Sequence, residues 1–274
     1  MPFDYTTEFV PTTLDFEVEF EPTKFKDKKY VINANTGEYL GIVGKDFTCA
    51  NHGDFFRRVQ DTLTETLRPE DTMNAKYKWC RARGDAWAML DITLPDMQVE
   101  ITTDRHTTTL GNRIISLHGI DGSCSNQVFF GQIDFFCING QIRKKNTSNF
   151  TLDGFINELQ NSRRDFYEET AKMKVWAKTD LKYVDVEALL ETMIPSKRKA
   201  QRMYELYNIE RQTRGANKWA LYSAFTNYAS YADERNGFKL RDTGNDTQAV
   251  SMFSREQEVS KWVSDNRFTQ LQAA

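Results

Sequence analysis

Two kinds of residue grouping in this chain could do chemistry: paired carboxylates, and clusters of lysine and arginine. Asp121 and Asp134 are the carboxylates of interest, because nucleases hold divalent metal on clustered carboxylates. Asp134 stands in an otherwise apolar run (Phe129, Phe130, Ile133, Phe135, Phe136). If buried there, it needs a partner or a raised pKa. Cys49 and His52 have a zinc-like spacing, but no second pair follows. Cys137 near His118 would make a Cys–His nucleophile pair, yet a small apolar cysteine inside a sheet is the plainer reading. Neither GxGxxG, GxxxxGK[ST] nor GxSxG occurs. The expectation is no catalytic centre, no metal and no cofactor, with a metal-dependent nuclease or DNA-modifying enzyme using Asp121 and Asp134 as the rival.

The basic clusters are denser. Residues 195–218 hold seven cations, Lys197, Arg198, Lys199, Arg202, Arg211, Arg214 and Lys218, against Glu205 and Glu210. Arg143, Lys144 and Lys145 form a second cluster, and Arg163 and Arg164 a pair. Point charges of this kind hold phosphates, and aromatic rings or Arg planes add stacking on single strands. Tyr204, Tyr207 and Phe129 are the stacking candidates. The expected nucleic-acid groove is lined by Arg143, Lys144 and Lys145, with Arg113, Arg163 and Arg164 beside them. Lys197, Arg198 and Lys199 are expected to form an outer contact surface.

The first half of the chain must position these groups on strands. Asp15–Glu21 alternates, with Phe16, Val18 and Phe20 on one face and acids on the other, as an edge strand does. Segments 29–33 and 38–43 flank Asn35-Thr36-Gly37, a hairpin signal. Phe55, Phe56, Val59, Leu63 and Leu67 recur at helical spacing, with Arg57, Arg58 and Gln60 on the polar face. Strands are expected at 76–81, 86–92, 97–102, 113–118 and 127–138, the last followed by a basic strand-to-helix loop at 143–145. Arg83-Gly84-Asp85 is expected to be a turn, and the Asn146-Thr147-Ser148 sequon to be unused.

From residue 151 the pattern turns helical. Thr151 is a plausible cap for a helix of some 25 residues whose stripe is Phe155, Leu159, Phe166, Met173 and Trp176. A short helix stops at Pro195, and Ser196 caps the next. Trp219, Tyr222, Phe225 and Tyr228 mark another. Ser254 and Gln257 form a capping box for a last helix, after a polar loop at 232–250. Strands followed by segregated helices give an α+β fold: an antiparallel sheet with a long packed helix, then a helical C-terminal region. The expected division is 1–180 for the sheet-plus-helix core and 181–274 for the helical region, or one continuous domain.

The chain has 274 residues and a formal net charge of -3, with 13% aromatics. That excludes a uniformly basic nucleic-acid coat but not a local basic face. The total is a sum of unlike parts, since residues 1–22 contain six acids and no Lys or Arg. No leader pattern, no membrane span and no CxxC pair is visible, so a reducing cytoplasm is the expected setting.

Several motifs together carry a resemblance. Val31 to Gly44 (VINANTGEYLGIVG) resembles an opening hairpin, followed by the Phe55-Phe56 helix. The Asp121-Gly122-Ser123 turn after His118 resembles a central hairpin, and Cys137-Ile138-Asn139 a C-x-N strand end. Ala216 to Tyr228 is similar to a tail helix with a "W-x-x-x-N-A-V-T-E-Y" pattern, with Ser223 and Asn227 at its Asn and Glu positions. Arg143-Lys144-Lys145-Asn146 replaces an Arg-His pair. These features, across roughly residues 25–230, resemble the phage/plasmid-like protein family, a domain of unknown function. The resemblance implies a phage, prophage or plasmid origin, with no established activity; phage-encoded action in the host cytoplasm is the expectation. By architecture it looks like phage single-strand annealing proteins of the recombination-mediator type. That implies single-stranded DNA as partner, a homo-oligomeric ring or filament, a phage exonuclease as companion, and no membrane. A non-enzymatic phage interaction protein is the other alternative.

Overall fold

The computed structural model describes residues 4–6, 10–124, 126–136, 139–145, 152–231, 234–235, 238–239 and 244–272. Strand β1 (Asp4–Thr6) is followed by a three-stranded antiparallel sheet, β2 (Val18–Pro22), β3 (Lys28–Asn33) and β4 (Tyr39–Gly44), in the order β2-β3-β4. Gly37, at φ 74, supplies the left-handed residue that the β3–β4 turn requires. The alternation read at 15–21 holds only in part: Phe16 is buried, Val18 is half-buried and the acids face solvent, but Phe20 is exposed, and the edge strand itself covers only Val18–Pro22.

Helix α1 (His52–Thr66) and the short α2 (Pro69–Thr72) lead into an antiparallel meander, β5 (Lys76–Ala82), β6 (Trp87–Thr102), β7 (Thr107–Gly119), β8 (Gln127–Asp134) and β9 (Asn139–Lys145). With β1 on β5, the six-stranded order is β1-β5-β6-β7-β8-β9. The expected strands at 86–92 and 97–102 are one long strand. Its pairing with β7 slips between Leu94 and Gln98, and this bulge accommodates Pro95, which has no N–H to offer the ladder. Arg83, Gly84 and Asp85 all have positive φ, as a tight turn demands.

The sheet is apolar on both faces because helices cover both. Leu90, Ile92, Leu94, Ile114 and Phe130 pack under α1 and the first half of α3 (Leu152–Lys178). Met89, Ile115, Leu117 and Phe129 face Met252 and Phe253 of α7 (Gly244–Val263). Period-2 alternation therefore separates two cores rather than core from solvent. At 27 residues, α3 spans about 40 Å, and its second half joins another core. There Met173 meets α4 (Val186–Met193), α5 (Lys197–Arg214), α6 (Lys218–Tyr231) and α8 (Asn266–Thr269), through Leu190, Met203, Trp219, Phe225 and Phe268. The architecture is α+β.

Two short-range signals in the helical half were sound. Ser196 accepts from the Lys199 N–H at 3.4 Å, and α4 ends before Pro195. The last long helix differs from expectation. It starts at Gly244, so Ser254 is interior and donates to the Val250 carbonyl at 2.9 Å. A hairpin, β10 (Glu234–Arg235) with β11 (Phe238–Lys239), also falls inside the expected loop. Thr151, Cys137 and the 146–148 sequon lie outside the described residues. Among the described residues, no helix is long and apolar enough to cross a membrane.

Candidate nucleic-acid interface

The predicted cations whose side chains are described do not converge on one groove. Arg113 is the clearest correction. It lies on β7, the centre of the sheet, and is 2% exposed. Its Nε and Nη2 donate to both oxygens of Asp91 on β6 at 2.8 and 2.7 Å, and its Nη1 donates to Glu256 of α7 at 2.7 Å. Burial alone would lower the arginine's pKa, but the two carboxylates more than reverse that. Burial likewise pushes Asp91 up, and the Arg113 charge beside it outweighs this and holds it low. Glu256 remains raised by burial despite Arg113. This triad ties α7 to the sheet and presents no charge to a ligand. It also lies on the α7 side, whereas α3, with Arg163 and Arg164, covers the opposite face.

Arg163 donates to both oxygens of Asp71 at 2.8 and 2.9 Å, and Arg68 shares that carboxylate. Arg164 is two-thirds exposed and lies beside Asp165 and Glu168. Arg143, Lys144 and Lys145 are not in a loop. They belong to β9, where Lys144 pairs with Phe130, Ile142 with Gly131, and Arg143 is the extra residue of a bulge. Their side chains lie outside the described residues.

The run at 195–218 thins out in the same way. Arg214 and Lys218 are buried. Lys199 bridges to Glu258 of α7 at 2.7 Å, and Arg202 pairs with Glu205. Lys197, Arg198 and Arg211 remain exposed. Phe129 and Tyr207, proposed above as stacking surfaces, are buried; Tyr204 is half-buried.

A basic patch that the sequence reading passed over lies at the tip of the small sheet. Residues 24–29 read Lys-Phe-Lys-Asp-Lys-Lys. The β3–β4 register sets Lys28 opposite Gly44 and brings Lys45 alongside, its N–H donating to the Asp27 carbonyl at 2.9 Å. Lys24, Lys26, Lys28, Lys29 and Lys45 thus share one end of the sheet with three carboxylates, Glu21, Asp27 and Asp46. Among the described residues, none of the five ammonium groups has an ion-pair partner. Aromatic rings are interleaved with them. Phe25 is 57% exposed and Phe20 36%. The Lys29 ammonium lies 3.9 Å from the Phe20 ring centre, and Lys24 lies 5.2 Å from that of Phe25. The charge run and its two phenylalanines were legible in the sequence; Lys45 joins them only through strand pairing.

The carboxylates of the nuclease alternative are occupied. Asp134 accepts from the Thr108 hydroxyl, from the Phe136 N–H at 2.9 Å and from Arg214 Nη2 at 3.1 Å. It has found the partner its burial required. Asp121 accepts from the Ser123 N–H and lies 3.3 Å from Arg83. Among the described residues, no group of three or more metal-ligating side chains occurs.

His52 is also committed. Its Nε2 is 2.8 Å from the Asp85 carbonyl, and its Nδ1 is 2.8 Å from His118 Nδ1. The carbonyl only accepts, so Nε2 carries the His52 proton and His118 Nδ1–H donates across the pair. His118 Nε2 then faces no partner. Phe55 stacks on His118 at 4.6 Å and Phe16 abuts His52. Burial in this aromatic nest lowers the pKa of His52 to about 4, and burial with the neighbouring imidazole lowers that of His118 well below its ordinary value. Both rings are neutral at physiological pH.

No family model, curated protein or solved structure matches the chain. The phage/plasmid-like resemblance therefore rests on its motifs alone.

Proposed function

We propose that this protein binds single-stranded nucleic acid through the lysine–phenylalanine tip of its small sheet, and that it promotes annealing of complementary strands. The observation carrying this reading is the set of five ammonium groups that have no ion-pair partner among the described residues, around two exposed rings. Phosphates are drawn to such charges, and bases stack on such rings without sequence preference. Lys197 and Arg198, exposed at the first turn of α5, are a second contact surface in this scheme. Annealing needs no reacting side chain, because pairing between the bases supplies the sequence reading. Phage origin, a ring or filament, an exonuclease companion and the host cytoplasm belong to the same proposal. Among the described residues, strand β2 is paired on one side only, which leaves an edge for a second copy.

The test is fluorescence anisotropy of a labelled oligonucleotide at several salt concentrations. Each phosphate contact contributes about 0.7 to the slope of log affinity against log salt on a single strand. Replacing Lys24, Lys26, Lys28 and Lys29 by Gln should flatten that slope and weaken binding. An unchanged slope would refute the site, and no binding at low salt would refute the function.

A further inference from the structure

The outer face of the small sheet carries a second set of groups beside the lysine tip. Side chains directly opposite one another on paired antiparallel strands share a face. The register sets Glu21, Tyr30 and Ile42 in one row across β2, β3 and β4, and Glu19, Ile32 and Tyr39 in the next. Tyr39 and Ile42 are three positions apart and would point to opposite faces of a regular strand. The register shift opposite Val31 and Ile32 takes up Leu40 as a bulge and brings both onto the face of Tyr30. The Tyr30 and Tyr39 ring centres lie 4.9 Å apart, edge to face. Lys28, two residues before Tyr30, stands on the same face at the tip end.

This face is open. Val31 and Val43, on the opposite face, pack against Ala86 and Ile120 beside the large sheet. Tyr39 is 64% exposed and Ile42 59%. Among the described residues ten large apolar side chains are exposed, and four of them, Phe20, Phe25, Tyr39 and Ile42, belong to this small sheet and its first turn. Such clustering marks a contact surface, because scattered single exposures are the ordinary case. Glu19 and Glu21 are exposed, and among the described residues neither has an ion-pair partner.

The arrangement of charge says what lies on it. Lys28 and the other lysines of the tip attract phosphates at one end. The two carboxylates repel phosphates and accept hydrogen bonds from donors on a base edge. A single strand therefore lies with its backbone at the lysine end and its bases over the tyrosines, edges towards β2. Guanine alone presents two adjacent donors, N1–H and N2–H, which match the two oxygens of one carboxylate. Adenine and cytosine present one amino group each.

We propose that this face is a base-reading platform that prefers guanine. A guanine stacks on the Tyr30–Tyr39 pair, and Glu21, beside Tyr30 in the same row, accepts from its N1–H and N2–H. Glu19 lines the neighbouring position. The inference rests on the single-strand reading above and adds a base preference to it; bases beyond the platform keep their edges free for pairing.

The test is fluorescence anisotropy of labelled thymidine oligonucleotides carrying an isolated pair of guanines, adenines or inosines, at one low salt concentration. The guanine oligonucleotide should bind about tenfold more tightly than the adenine one, the discrimination of one bidentate pair. Inosine, which lacks the 2-amino group, should lose most of that advantage. Glu19→Gln/Glu21→Gln should erase the preference while raising affinity for plain thymidine, because two charges that repel phosphate are gone. Tyr39→Ala should weaken the guanine oligonucleotide by about fivefold or more. All three substituted side chains are exposed, so the variants keep the fold. Equal affinity of the parent for guanine and adenine overturns this inference and leaves binding at the lysine tip standing; no binding of any oligonucleotide overturns both. A preference that survives in the carboxylate variant also overturns it. So does a Tyr39→Ala protein that loses self-association with oligonucleotide binding unchanged, since the face would then be a contact between copies.

Discussion

Acidification should unfold this protein through its histidine pair. His52 has a folded-state pKa of about 4, against an unfolded value near 6.5. The fold stabilises the neutral ring, so this contribution is fully present above about pH 6.5 and is lost as pH falls from there towards about 4. At about pH 5 the unfolded His52 holds nearly a full proton and the folded one about a tenth, which integrates to roughly 2 kcal/mol lost relative to about pH 8. The loss from His52 reaches about 3 kcal/mol below both values. His118 acts in the same direction. Glu256, raised by burial, acts oppositely as it takes up a proton. The useful readout is therefore a difference between proteins. Urea unfolding of the parent and of His118→Phe should be followed between about pH 8 and pH 5. Phenylalanine suits a site stacked on Phe55 and edged by Phe56. Each proton taken up only by the unfolded chain adds about 1.4 kcal/mol per pH unit to the slope, so the variant's slope should be shallower by up to that amount. Equal slopes would refute this reasoning, because His118 would then not titrate as its burial demands.

Three further outcomes are expected. Arg113→Ala leaves Asp91 and Glu256 buried without their cation and should cost about 3–5 kcal/mol in urea unfolding; reduced oligonucleotide affinity at unchanged stability would instead return Arg113 to the binding surface. Asp134→Asn weakens the Arg214 contact and should cost about 1–3 kcal/mol, measured by the same unfolding curves; magnesium-dependent plasmid cleavage by the parent that this variant abolishes would revive the nuclease alternative. Phe25→Ala should change stability by less than about 0.5 kcal/mol yet weaken oligonucleotide binding by about 1 kcal/mol or more, as read by anisotropy.

The sequence determined the elements whose signals are local. The Asn35-Thr36-Gly37 turn, the α1 stripe, the α3 stripe and the Ser196 cap each depend on residues within a few positions of one another. The reading of strands at 86–92, 97–102 and 113–118 also located β6 and β7. It could not show that both of their faces are covered, because that depends on where α7 docks. Tertiary structure decided the fate of the charges for the same reason. Arg113 meets Asp91 across 22 positions and Glu256 across 143, and Arg214 meets Asp134 across 80. A cation's sequence neighbours do not reveal whether a distant helix will bury it against a carboxylate. The same long-range packing brought Lys45 to the 24–29 run. Local spacing sets which side of an element a residue lies on; only the folded chain sets what that side meets.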